Sequence, residues 1–190
     1  MAMLLPLLLL ILFGIIDYAF VMKDYQSLAS ATRSAARTGS VEARTATYDT
    51  DAANAVTASM KTLQGSDVPV VLEIYLADPA TGLPYNSAKT GDETLPSATC
   101  SHCSYYTWNS AAGTWATANP RNWPASGSTS AQNACPYNAT NNPSGPDTLG
   151  VYLQVTHPMV SRFFGVTKTL SDRAVVKLEP QPLSSGPCTG

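Results

Sequence analysis

The residues best able to do chemistry in this chain are its four cysteines, Cys100, Cys103, Cys135 and Cys188, and its two histidines, His102 and His157. Cys100-Ser-His-Cys103 has the C-x-x-C spacing of a dithiol redox pair or of half a zinc site. Redox motifs of this kind lie near a strand-to-helix junction, whereas Ser104-Tyr-Tyr-Thr-Trp108 does not read as a helix start. A zinc site would have to recruit His102 with His157 or Cys135, and no second close ligand pair follows. Structural disulfides are the simpler chemistry if this part of the chain lies in an oxidising compartment. Four cysteines allow three pairings. The expected one closes two long loops, from Cys100 or Cys103 to Cys135 and from the remaining cysteine to Cys188. A loop of about 33 residues stabilises by roughly 3–4 kcal/mol in the chain-entropy model.

His157 precedes Pro158 at a strand end and reads as structural, because a general base needs a partner and a pocket. No G-x-S-x-G, H-E-x-x-H, P-loop or dinucleotide glycine pattern occurs, so neither an enzyme nor a cofactor is expected. Asn138-Ala-Thr140 matches a glycosylation sequon, a pattern common enough to arise by accident. Charge narrows the classes further. Eleven Lys and Arg against 13 Asp and Glu give a net charge of -2, with no basic excess to neutralise phosphates, so no nucleic-acid partner is expected.

The elements that must carry these residues begin with a very greasy one. Met1 to Ile16 reads MAMLLPLLLLILFGII, and Tyr18 to Met22 resumes the apolar run after Asp17. At 1.5 Å per residue, some 22 helical residues span about 33 Å, close to a hydrocarbon core of roughly 30 Å. Seven Leu, three Ile and one Phe favour insertion by roughly 3–7 kcal/mol against about 3 for one central Asp. A retained anchor over 1–22 is therefore expected. Ala29-Ser30-Ala31 resembles a signal-peptidase site, but it lies well beyond the apolar run. Lys23, Arg33, Arg37 and Arg44 follow the run, which by the positive-inside rule places the C-terminal part in the cytoplasm. The cysteines and the Ser/Thr/Asn-rich body argue for the outside, and that orientation is adopted, with a basic leader expected upstream of Met1.

Beyond Met22, Tyr25, Leu28, Ala29, Thr32, Ala35 and Ala36 recur at helical spacing, so an amphipathic continuation over 23–39 is expected, stopped by Gly39. Pro6 predicts a kink early in this helix of nearly 40 residues. Residues 50–64 predict a second helix, capped by Thr50 or Asp51, with Ala53, Val56, Met60 and Leu63 as its stripe. Val68–Ala77, Leu149–His157 and Thr169–Leu178 predict three strands, with Val151, Leu153 and Val155 on one face of the second and Ala174, Val176 and Leu178 on one face of the third. The tract 79–148 reads as a long stapled insertion with a hairpin near 104–117. The expected class is α+β: a small antiparallel three-stranded sheet packed on the exposed half of the first helix. It divides the chain into a membrane segment 1–22, its continuation 23–39 and an extracytoplasmic domain 40–190.

Met3-Leu-Leu-Pro-Leu-Leu-Leu-Leu-Ile-Leu-Phe-Gly-Ile-Ile-Asp17, the basic Ala-rich stretch Thr32–Gly39 and the closing Arg173-Ala-Val-Val-Lys-Leu-Glu-Pro180 resemble the TadE/TadG-like pseudopilins of tight-adherence pilus systems. The cysteine-bearing insertion with its Trp-Pro and following Gly-Val-Tyr is similar to members from high-GC Gram-positive bacteria. The resemblance implies a non-enzymatic minor pilin. Its partners would be other pilin subunits through the N-terminal helix, the assembly platform and membrane lipid. It would lie in the cell membrane as a single-pass protein, and in a surface filament once assembled. Pro6, Asp17 and Lys23 would then matter for helix assembly. A carboxylate in apolar surroundings needs a partner, and Lys23 of a neighbouring copy is one candidate. The other reading is that Asp17 simply reaches the membrane interface. Trp108, Trp115 and Trp123 in the insertion, and Phe163 and Phe164 in a loop, are candidate surface contacts. The alternative use of the same architecture is a membrane-anchored adhesin that binds through the Trp/Tyr-rich insertion.

Overall fold

The computed structural model describes residues 4–42, 47–60, 68–86, 91–123, 145–161 and 165–179. Helix α1, Leu4–Val41, is continuous over 38 residues, and Pro6 and Gly39 both lie inside it. Helix α2 runs Tyr48–Met60, two residues ahead of the expected start, with the Asp51 N–H bonded to the Thr47 carbonyl in its first turn. Its buried stripe is Tyr48, Ala52, Ala53 and Val56, and Met60 packs against the same core. The small side chains let α2 approach α1 closely: a Cβ built on Gly39 would meet Leu149 and Ala52. Leu63 lies outside the described residues.

Five strands form one antiparallel sheet among the described residues, where sequence predicted three. They are β1 (Val68–Leu76), β2 (Cys103–Asn109), β3 (Thr114–Trp115), β4 (Thr148–Pro158) and β5 (Thr167–Lys177), in the order β3-β2-β1-β4-β5. The additional two are the expected hairpin of the insertion, which adds itself to the free edge of β1 instead of standing apart. Pro69 sits near the start of β1, where the register with β4 shifts. That is the place a residue without an N–H is tolerated.

Alternation decides which face meets the helices. Leu149, Val151, Leu153 and Val155 of β4 are all buried inward, as are Leu72, Ile74 and Leu76 of β1. On β5, Leu170 and the half-buried Ala174 and Val176 join them, while Thr169, Ser171, Arg173 and Val175 face solvent. The helical side of this core is Leu28, Ala31, Ala35 and Ala36 of α1. Tyr25, expected on that stripe, is exposed instead, because the buried arc is centred on Leu28 and Ala35. The opposite face of the sheet is also covered. Tyr75, Ala77, Cys100 and Cys103 form a second small core there, with Leu95, Tyr105 and Tyr152 against it.

Tyr75 in that second core explains Gly150. The two residues are directly paired across β1 and β4, the Tyr75 ring lies over the glycine, and its hydroxyl donates to the Gly82 carbonyl at 2.9 Å. A Cβ at position 150 would fall onto the ring. Gly150→Ala should therefore cost about 2 kcal/mol through overpacking. A lower urea midpoint at unchanged slope is the expected reading, and an unaltered midpoint would show that the ring moves aside freely.

Candidate functional site: a half-exposed helix and its polar seam

The N-terminal half of α1 is largely uncovered by the described residues. Leu4, Leu8 and Ile15 are 66%, 65% and 62% exposed, and every large apolar residue from Leu4 to Ile16 is exposed. The helix is long and apolar enough to cross a membrane, with a mean hydropathy of 2.5 over its best 18-residue window. Contiguous apolar surface of this extent marks contact with lipid or another protein.

At Asp17 the helix meets its domain. The carboxylate is buried and accepts the Val160 N–H at 2.9 Å, the Ser161 N–H at 3.2 Å and the Ser161 hydroxyl. Seven residues on, Asp24 is fully buried with its Oδ2 2.8 Å from Nδ1 of buried His157. Eight further on, the Thr32 hydroxyl donates to Asp172 Oδ2 at 2.6 Å. These spacings are each close to two helical turns, so the three residues share one face. Their partners come in order from the β4–β5 connection, the end of β4 and the middle of β5. Above them the Glu179 N–H bonds to the Ser40 carbonyl, at the other end of the domain. A polar seam therefore fastens the lower part of α1 to the β4–β5 hairpin, and an apolar one fastens the upper part. Asp17 thus finds partners within its own chain. Lys23 is exposed, away from this seam.

A second buried charge fixes the start of α2. Asp49 is fully buried and pairs with Arg121 through two contacts of 2.7 Å, Nε to Oδ2 and Nη2 to Oδ1. The Ser104 hydroxyl donates to Oδ2 at 2.9 Å and the Thr50 N–H to Oδ1 at 2.9 Å. Asp49 raises the Arg121 pKa further, while burial raises the hydroxyl of neighbouring Tyr106. Beside it Tyr48 donates its hydroxyl to the Trp123 carbonyl at 3.0 Å and meets the Trp123 ring edge-on at 5.7 Å. Together they pin α2 to the insertion.

The cysteine pairing differs from the expected one. Cys100 is bonded to Cys103, not to Cys135 or Cys188, which lie outside the described residues. The turn ahead of β2 brings the two together on the buried outer face of the sheet. So short a loop constrains the unfolded chain by about 2 kcal/mol rather than 3–4. Cys103 opens a strand rather than a helix, as the following residues suggested. His157 is committed to Asp24, on the far side of the sheet from the cysteines, so the zinc set that includes His157 is not assembled; Cys135, the other ligand considered, lies outside the described residues. Glu73 is the unanticipated neighbour of the disulfide. Its side chain lies near both sulfurs, and its Oε2 accepts the Ser97 N–H at 2.9 Å. Burial pushes its pKa up to about 7.

The proposed surface aromatics divide. Trp123 is buried in the main core and is not a surface contact, because Tyr48 and Ser104 close over it. Trp108 and Trp115 are half-buried and pack edge-on at 5.0 Å across β2 and β3. Phe163 and Phe164 lie outside the described residues. A shallow groove of about 230 Å³ runs between α2 and the β2–β3 hairpin, lined by Ala53, Thr57, Tyr106 and Trp115. That is below the roughly 300–1,000 Å³ of small-molecule sites. Sequence reasoning passed over Asp24, Asp49, Arg121 and Glu73. Asp24 had a usable signal, its two-turn spacing from Asp17, and so had Arg121, the one Lys, Arg, Asp or Glu in the sequence between Glu93 and Asp147.

A family model described as TadE-like protein matches residues 1–37, which include the exposed apolar half of α1 and the Asp17, Asp24 and Thr32 side of the seam. No curated protein and no solved structure gives a significant match. Over residues 1–37, then, this chain is similar to the TadE-like family.

Proposed function

We propose that the chain is a non-enzymatic, pilin-like subunit that assembles into a Tad-type pilus or a related secretion filament. The single observation that carries this reading is the exposed apolar half-helix that extends from a folded domain. Such a helix is stable in a bilayer, and it leaves the bilayer only if equivalent helices bury it again. Without a hydrophobic drive between helices in lipid, that exchange depends on packing and polar contacts. In this reading the α+β domain lies outside the membrane, other pilin subunits pack against the N-terminal half of α1, and an assembly platform draws the helix from the lipid. Pro6 and Lys23 lie on this helix, and their role in assembly belongs to the same proposal.

The test is made in a host with the pilus. The full chain should remain in membranes through alkaline carbonate, and Leu8→Arg should release it or abolish filaments while the domain stays protease-resistant. Filaments of normal number with Leu8→Arg would overturn the reading. Asp17 then acts as the hinge pin between anchor and head. Asp17→Ala removes acceptors of three hydrogen bonds and should speed amide exchange at Val160 and Ser161 by about 10- to 100-fold, the equivalent of 1–3 kcal/mol. Unchanged exchange there would mean that the connection is held by something else.

A further inference from the structure

Among the described residues, the outer side of α1 and the far end of the domain carry mostly opposite charges. Lys23, Arg33 and Arg37 are exposed on the side of α1 turned away from the sheet, with exposed Gln26 and Ser30 between them. Among the described residues, the charges at the end of the domain farthest from the apolar helix are mostly acidic: Glu42, Asp51, Asp78, Asp92, Asp147 and Glu179. Four contacts establish that this is the far end. Glu179 bonds to Ser40, the Leu178 N–H bonds to the Asp147 carbonyl, Ala77 bonds to Thr148 at the start of β4, and Tyr85 pairs with Asp92. Burial raises the Tyr85 hydroxyl, Asp78, Asp92 and Asp147 are each close enough to raise it further, and Glu42 is close enough to Asp51 to share a hydrogen bond. Lys177 also lies at this end, and Arg121 is committed to Asp49.

We infer that the basic stripe on α1 docks the acidic far end of a second copy of this chain, in a parallel, axially shifted, head-to-stalk contact. The inference rests on the membrane-anchored assembly proposed above. Anchoring forces all copies to point the same way, so two copies cannot meet through a two-fold axis lying in the membrane plane. The axial shift excludes a two-fold along the membrane normal as well, so in this contact the copies meet with different surfaces, and a contact of that kind repeats without closing. The required shift is compatible with the helix. From Ser40 to Ser30, the middle of the stripe, is about 15 Å. Copies shifted by that much still overlap their apolar segments, each about 28 Å long from Leu4 to Met22, over about 13 Å.

Anionic lipid is the other chemistry that a basic stripe beside a membrane can serve. Height argues against it. Arg33 and Arg37 stand about 16 and 22 Å above Met22 along the helix, whereas the headgroup layer adds only about 5–8 Å to the hydrocarbon and screening confines its field to a further 8–10 Å.

The experiment co-expresses two differently tagged full-length copies and measures their co-purification from membranes in mild detergent. With wild-type copies, association should fall as salt rises. Arg33→Glu with Arg37→Glu in every copy should reduce co-purification at least about tenfold, and Asp92→Arg with Glu179→Arg in every copy should do the same. One copy of each kind, mixed, should pair again, since each then meets an opposite charge. Wild-type association with the stripe reversed would overturn the inference. So would failure of the mixed pair to recover, and less phosphatidylglycerol co-purifying with the stripe variant than with the wild type would then assign the stripe to lipid. Wild-type copies that never associate would sink the assembly reading itself, a result distinct from association that ignores charge.

Discussion

Arg121→Ala should destabilise the domain by about 3–5 kcal/mol, more than Asp49→Ala, although the two residues form one ion pair. The asymmetry follows from burial. The Asp49 side chain is 0% exposed and Arg121 is 31% exposed. Removing the guanidinium leaves a carboxylate in the interior without its charged partner, although neutral donors such as the Ser104 hydroxyl and the Thr50 N–H remain. Removing the carboxylate leaves a cation that can swing into water along its own stem. The double variant Asp49→Ala, Arg121→Ala should therefore be more stable than Arg121→Ala alone, since the charge that lost its partner is gone too. Arg121→Lys should recover little, because an ammonium cannot reproduce two parallel contacts to both carboxylate oxygens. Urea unfolding of the detergent-solubilised chain, followed by Trp123 fluorescence, reads all four variants, since Trp123 packs on Tyr48 at this site. A double variant less stable than Arg121→Ala would show that the pair contributes packing and not charge compensation.

The same pair shows where sequence reading ends. Local pattern was enough for α1, because apolar content and helical spacing act within the helix itself, and enough for β4 and β5, whose alternation is a property of each strand alone. It was enough for the hairpin of the insertion as well. It could not say that the hairpin joins β1, since an edge strand announces its partner nowhere in its own residues. Nor could it join Asp49 to Arg121 across 72 residues, or Asp17 to Ser161 across 144. A polar residue on an apolar helix reads as an anomaly until the surface that satisfies it is known. Asp17 in sequence reads either as needing a partner on a neighbouring copy or as reaching the membrane interface; the hairpin connection supplies partners within the chain. The cysteines misled for a related reason. Entropy favours long loops as the more stabilising, but which sulfurs meet is decided by where the chain lies, and the turn before β2 places Cys100 on Cys103.

Glu73 carries the second large prediction, a loss of stability as pH rises. Its carboxyl titrates at about 7 in the folded chain against 4.5 for an ordinary glutamate, chiefly because burial penalises the charged form. The Ser97 N–H opposes that shift and the nearby charge of Glu93 adds to it. The fold therefore binds the proton more tightly than the unfolded chain does. Its contribution is fully present below about pH 4.5, declines as the unfolded chain ionises first, and is gone once pH passes about 7. A difference of about 2.5 units corresponds to roughly 3 kcal/mol across that window. Glu42, also raised, contributes in the same direction, so the wild type alone is not diagnostic. The difference from Glu73→Gln is. Gln keeps the shape and an oxygen acceptor for Ser97 but cannot ionise, so the variant should gain on the wild type by roughly 3 kcal/mol between about pH 4.5 and pH 8. Parallel stability curves for the two would mean that Glu73 is solvated when ionised. The covering segment 93–101, which the Ser97 and Ser101 amides hold on Glu73 and Glu93, would then open without disturbing the rest of the sheet.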